Sequence, residues 1–299
     1  MLASSFSIFA NIEIAQSHQI DSLKTLISVN ELCEYKVDLL NTLATHQIVS
    51  SKYDSAKVTL ENSILLSKQL IYRIGEANAY SQLAKISARN GDRLTALNLL
   101  NNSIHIHQEV NNPLGEANSL CQKAMNLSHL QQKEEAIKCL NNALSIQKAL
   151  DNQNGIANVY GCFGFIYDDD LNTAKSLDYY LKCINIKESL SLNLEQEIYL
   201  INAYGNLSLS YSKQKKLDKY YKYSELALRK MNEIGDLANA SIVNIVRAFV
   251  NFELGQYDKT EHFALRSLEL GKKANYDYSI GYAYFILAEL QSKAYKVED

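Results

Sequence analysis

His105 and His107 stand close enough together to suggest a shared metal ion. On a helix, residues two apart point to different faces, whereas a metal wants an i, i+4 pair. The run Asp168-Asp169-Asp170 gathers carboxylates but lacks the glycine and closing glutamate of a calcium loop, so it reads as a solvated helix end. The five cysteines, Cys33, Cys121, Cys139, Cys162 and Cys183, form no CxxC. They fall mostly at helical core registers and read as free buried thiols, which favours a reducing compartment. Cys162 and the histidines lie at unrelated registers, so no thiol nucleophile is assembled. No GxGxxG, P-loop or GxSxG is present. The expectation is a protein that is not an enzyme and carries no metal and no cofactor.

One pattern suits binding instead. Asn78, Asn118, Asn158 and Asn202 each sit six residues before a small residue, namely Ala84, Ala124, Gly164 and Ser208. An amide carries a donor and an acceptor, so a row of them can pair with backbone amides in both directions without reading side chains. The alternative is that these asparagines shape the turn into each helix. Asp38 and Ile242 occupy the two comparable positions without an asparagine.

The elements that carry this row repeat at a step of 40 residues. One comb of positions runs Ala56, Ala96, Ala136, Ser176, then Tyr220 at a step of 44 and Thr260 at 40 again. A second runs Ala44, Ala84, Ala124, Gly164, Ser208, Ala248 and Ala288, and a third Ser63, Ser103, Ala143, Cys183, Ala227 and Ser267. Small residues in three registers predict helix pairs crossing at close range once per repeat, the pattern of a stacked solenoid. Four extra residues at the irregular step add about one helical turn and keep the faces in phase.

Composition agrees. Hydrophobic residues make up 47% of the 299, Pro113 is the single proline and there is no tryptophan. Little therefore interrupts long helices. A net charge of −3 argues against non-specific nucleic-acid binding, which needs a basic stripe. No run of 18 apolar residues exists to cross a membrane. Leu2 to Ala15 is apolar but the first positive charge is Lys24, so it reads as an ordinary first helix. A cytoplasmic protein is expected, or a periplasmic or exported one if residues 1–15 are a signal remnant.

The predicted organisation is a weak or divergent helix pair over 1–32, six pairs over 33–275 and one unpaired helix over 276–299. In the third unit a first helix over Gly115–His129 leads through the turn Gln131-Gln132-Lys133-Glu134 to a second over Glu135–Leu150. Glycine in Asn90-Gly91-Asp92 and Gly255-Gln256 suits a left-handed helix end.

These spacings resemble the tetratricopeptide repeat family in its longer form. The resemblance rests on Ala84 in a first helix, Gly91-Asp92 in the turn, Ala96 opening the second helix and Ser103-Ile104 near its end. The openings Gly75-Glu76-Ala77-Asn78, Gly115-Glu116-Ala117-Asn118 and Gly155-Ile156-Ala157-Asn158 look like the variant of kinesin light chains and bacterial signalling proteins. The resemblance implies an all-α, right-handed superhelix whose first helices line a concave groove for peptides or protein segments. The asparagine row would face that groove. Neighbouring inward registers would add Lys85, Arg89 and His129 early in the chain, and Phe165, Leu209, Ile245, Phe249, Phe252, Tyr282 and Phe285 later. That polarity suits a ligand with an acidic part toward the early repeats and an apolar part toward the late ones.

The expected function is a non-catalytic scaffold for signal transduction that holds a peptide or protein segment in the groove. The alternative is the sensory region of a larger bacterial signalling protein, joined to a diguanylate cyclase, histidine kinase or transcription regulator, or a peptide-pheromone receptor. Tyr278, Ile280, Tyr282, Tyr284, Phe285, Ile286, Leu287 and Leu290 leave the last helix apolar nearly all round. A solenoid end should be polar outside. A second copy of the chain or a further C-terminal domain is therefore expected to dock over 276–295.

Overall fold

The turn between helices is the unit from which this fold is built. In the computed structural model, which describes residues 19–169 and 173–298, every regular element is a helix. Left-handed residues recur at steps of 20, first at Ser51, Ile71, Gly91, Asn111, Gln131 and Asp151, then at Lys215, Gly235, Gly255 and Asn275. At each of these turns the next amide reaches back to a carbonyl five residues earlier, as in Asn112 N to His107 O and Gln132 N to Leu127 O, at 2.8–3.0 Å. That bond satisfies a carbonyl the helix end would orphan, and it reverses the chain within two residues. Asp92, Asn112, Asn152 and Asp236 then cap the following helix, each accepting from a backbone N–H three residues on.

Helix α1 covers residues 19–29. There follow α2 (Glu34–Val49), α3 (Tyr53–Gln69), α4 (Arg73–Arg89), α5 (Arg93–Glu109), α6 (Pro113–His129) and α7 (Lys133–Ala149). Next come α8 (Gln153–Asp169), α9 (Thr173–Glu188), α10 (Leu194–Lys213), α11 (Leu217–Ile234), α12 (Leu237–Glu253), α13 (Tyr257–Lys273) and α14 (Asp277–Glu298). The even helices α2 to α12 are the first members of six pairs, and α14 follows them. Helix α7 starts at Lys133 and not at Glu135, because the turn needs only Gln131 and Gln132. The apolar stretch Leu2–Ala15 and most of the expected N-terminal pair lie outside the described residues, as does Asp170.

Contacts divide the chain into two compact units, the larger from Lys52 to Ser210 with α1 and most of α2, the smaller containing Tyr211 onward. In the larger, α4 packs on α5, α6 on α7 and α8 on α9, while α4 also meets α6 and α6 meets α8. In the smaller, α12 packs on α11, α13 and α14. All the comb residues are buried except Ala288, and most have no exposed surface at all. At the small residues of these crossings, added bulk costs about 1–3 kcal/mol by forcing the helices apart. The glycine of each first-helix opening has a related cause. A Cβ on Gly75 would collide with Val37 and Tyr72, one on Gly115 with the His107 ring, and one on Gly155 with the Gln147 amide.

Candidate functional site

The first helices of the larger unit present the same four registers toward two cavities. Counted from the asparagine row, these are the row itself and the positions three, four and seven residues later. On α2, α4 and α6 they supply Asp38, Asn41, Thr42 and Thr45, then Asn78, Ser81, Gln82 and Lys85, then Asn118 and Gln122. Together with Ser119, His107 and Gly115 these line a polar cavity of about 280 Å3. On α6, α8 and α10 the same registers bring Cys121, Gln122 and Met125, then Asn158, Gly161, Cys162 and Phe165, then Asn202 and Asn206. With Tyr180, Cys183, Tyr199 and Ala203 they line a second, mostly apolar cavity of about 100 Å3. Gln122 borders both.

Most polar groups around the first cavity already hold one another. Ser63 Oγ donates to Asn41 Oδ1 at 2.8 Å and Asn41 Nδ2 to the Gly75 carbonyl at 3.2 Å. Gln82 Nε2 donates to the Asn41 carbonyl at 3.1 Å, and Thr45 Oγ1 to Gln82 Oε1 at 3.2 Å. Gln122 Nε2 donates to Ser81 Oγ at 2.6 Å. All but the Ser63 bond, which comes from α3, run from one first helix to the next, and together they hold the cavity wall in shape. Burial raises the Asp38 carboxyl pKa, opposed by the Tyr72 hydroxyl that donates to it at 3.2 Å. Burial also pushes His107 down to about 4, so it is a neutral wall residue at physiological pH.

The ladder asparagines differ from those that cap or brace a helix. Asn112 and Asn152 cap helices, and Asn126, Asn244 and Asn251 donate to the carbonyl one turn back. Among the described residues, none bonds the side chains of Asn78, Asn118 or Asn202, and Asn158 Oδ1 is buried without a donor. The turn-shaping alternative thus describes Asn112 and Asn152 and not the ladder.

The remaining expected residues spread more widely. Lys85 lines the polar cavity, but Asp38 shares it, so the cavity does not single out an acidic ligand. The Arg89 guanidinium lies over the Tyr53 ring at 4.7 Å, and His129 packs on Phe165 at 5.2 Å; neither lines the two cavities. Phe165 does, in the apolar one. Phe249, Phe252, Tyr282 and Phe285 belong to the smaller unit. There Phe249 packs on the core of α12, α13 and α14, with Tyr282 edge-on at 6.4 Å. Phe252 carries the Lys293 ammonium at 4.3 Å, while Phe285 is 53% exposed. Ile245 is core, 5% exposed, and lines neither cavity.

Sequence reasoning did not place Ser81, Gln82, Gln122, Cys121 and Cys162 in a cavity wall; they keep the step of 40 without one fixed residue type. Cys121, hydrogen-bonded to the Cys162 thiol and buried, has its pKa pushed well up, and burial takes Cys183 up to about 12. Cys121 and Cys183 are therefore protonated and serve as apolar wall. Among the described residues no cluster of His, Cys, Asp or Glu could hold a metal, and no helix is long and apolar enough to cross a membrane.

No family model and no curated protein matches this chain. Solved structures do. A Rap protein complexed with Competence and Sporulation Factor matches at a TM-score of 0.60 and 13% identity, over 95% of this chain and 88% of that one. A STAND signal-transduction ATPase with a tetratricopeptide repeat sensor, from Pyrococcus horikoshii, matches at 0.58 and 17%, over 92% of this chain and 46% of that one. The Cut9–Hcn1 hetero-tetramer of the APC/C matches at 0.60 and 13%, over 91% and 46%. This chain spans about half the length of the last two. The likeness is one of fold: these are the paired helices of a tetratricopeptide-repeat solenoid.

Proposed function

We propose that the larger unit is a non-catalytic scaffold that holds an extended peptide or protein segment along its first helices. One observation carries this reading: four amides in register, two at each cavity, bond nothing among the described residues although each is held on a rigid helix. An extended backbone offers alternating N–H and C=O groups that match such amides, and fixed helices spare the cost of ordering them. The protonated thiols support a binder over an enzyme.

Selection of a displayed random-peptide library on the full chain, followed by calorimetric titration of the hits, tests this. Asn118→Ala and Asn158→Ala should each weaken binding about five- to thirtyfold, since each leaves a buried partner unpaired at about 1–2 kcal/mol. Unchanged affinity in both variants, with unchanged melting, overturns the reading.

A sensory role in a larger signalling protein is the second reading. The Rap complex with its factor and the repeat sensor of the STAND protein support it at the level of fold.

A further inference from the structure

One position of the first helices goes from a side chain to none along the larger unit: Asn41, Ser81, Cys121, then Gly161 and Gly205. Glycine inside a helix is less favourable than alanine, so it calls for a reason. Gly115, Gly155 and Gly164 have one, because a Cβ at each would run into a neighbouring side chain. Gly161 has none of that kind. A Cβ there meets only the Cys183 sulfur, at 3.4 Å, an ordinary contact, and one at Gly205 meets nothing within 4 Å.

The room left by Gly161 belongs to the apolar cavity of about 100 Å3 walled by Cys121, Met125, Cys162 and Phe165. No Asp, Glu, Lys or Arg lines it. At the same cavity two acceptors are buried without a donor: Asn158 Oδ1, on a residue 9% exposed, and Gln122 Oε1, whose own amide nitrogen is committed to Ser81. Buried acceptors are rarely left so, and each marks where a donor belongs. A dry cavity of roughly 150 Å3 admits benzene or xenon, so this smaller one suits an aliphatic side chain and not an indole.

We propose that this cavity is the specificity pocket of the scaffold. It takes one aliphatic side chain of the bound peptide, with backbone N–H groups flanking that residue donating to Asn158 and Gln122. The proposal rests on the peptide-binding reading above and adds what that reading leaves open, the class of side chain selected.

The chain has three methionines, Met1, Met125 and Met231. Full-length protein carrying 13C-methyl methionine therefore reports the pocket through Met125, with buried Met231 of the smaller unit as an internal control. The probes are xenon and capped pentapeptides Ala-Ala-X-Ala-Ala, with X as Gly, Val, Leu, Trp or Lys. The leucine peptide should move Met125 saturably and leave Met231 still, with the glycine, tryptophan and lysine peptides at least tenfold weaker. Xenon should move Met125 without any peptide. Gly161→Leu should abolish both responses. Gly161→Ala, which keeps the fold, should raise the melting temperature by roughly 1–3 °C while weakening the leucine peptide severalfold. A glycine kept only for packing would not give that opposition. Equal affinity for the glycine and leucine peptides, or full leucine-peptide affinity in Gly161→Ala, overturns the pocket and leaves the peptide-binding reading standing. Silence toward every peptide, with xenon still moving Met125, overturns the peptide occupant and that reading together.

Discussion

Ser67, His107, Gln147 and Lys187 stand at steps of 40 near the ends of α3, α5, α7 and α9, and none is more than 1% exposed. His107 and Gln147 lie beneath the openings of α6 and α8, at Gly115 and Gly155. Asn112 Nδ2 sits 3.2 Å from His107 Nδ1, Asn152 Nδ2 donates to Gln147 Oε1 at 2.8 Å, and Lys187 Nζ donates to Asn154 Oδ1 at 2.7 Å. Of the four, His107 makes stability depend on pH. Burial lowers its pKa to about 4, against about 6.5 in an unfolded chain, so as pH falls below 6.5 the unfolded state takes up a proton that the folded state refuses. Stability is then lost progressively between about pH 6.5 and pH 4, by about 2–3 kcal/mol in all. His46, also lowered by burial, adds to the slope in the same sense. We expect His107→Gln, the residue of the next repeat, to flatten urea-melt stability across that window. An unaltered slope would show that His107 does not set it. As bare sequence His107 is visible only beside His105; its place under Gly115 depends on which second-helix residue the turn carries back, and no local spacing states that.

At the scale of the element, the ten left-handed turn residues among those described are not equally suited to their work. Gly91, Gly235 and Gly255 adopt the conformation freely and Asn111, Asp151 and Asn275 tolerate it, but Ile71 holds φ 57° with a β-branched side chain that is 80% exposed. A left-handed conformation costs an L-residue about 1–2 kcal/mol. Glycine removes that cost but makes the unfolded chain freer by about 0.4–1 kcal/mol. The balance favours Ile71→Gly by about 0.5–1 kcal/mol, which should appear as a higher urea midpoint with an unchanged m-value. A fall in the midpoint would mean that the Ile71 side chain contributes contacts its exposure does not suggest. This unevenness explains what could be read beforehand. The turns at Gly91 and Gly255 were legible because glycine marks a left-handed end. Those at Ile71, Gln131 and Lys215 have no such mark, and Lys133 was accordingly assigned to a turn it does not occupy. The small-residue combs were legible because most crossings take a small residue, with Tyr220 the exception. The cavity walls were not, since a wall needs a position and not a fixed residue type: Gln82, Gln122, Cys162 and Asn206 share one register.

At the scale of the whole molecule the open question is what covers α14. Its buried side is formed by Ser279, Ala283 and Ile286, all 1% exposed or less. On other sides Tyr278, Tyr282, Tyr284 and Phe285 are 41–54% exposed. Tyr278 and Tyr282 shield each other at 4.6 Å, and the Lys272 ammonium lies 5.6 Å from the Tyr284 ring, but Phe285 remains open. Ala288 points to the same conclusion. Its counterparts from Ala44 to Ala248 are buried at helix crossings, and among the described residues no second helix crosses at Ala288. An aromatic face joined to an empty crossing position is an interface pattern, and in a solution of this chain alone the simplest cover is a second copy in a symmetric pair. In light scattering the apparent mass should rise from monomer toward dimer with concentration. Tyr284→Glu with Phe285→Glu should hold it at monomer without changing the helical circular dichroism, because both side chains lie outside the buried seam. A wild-type mass that stays monomeric at every concentration rules out the symmetric pair, and α14 would then need a partner of another sequence.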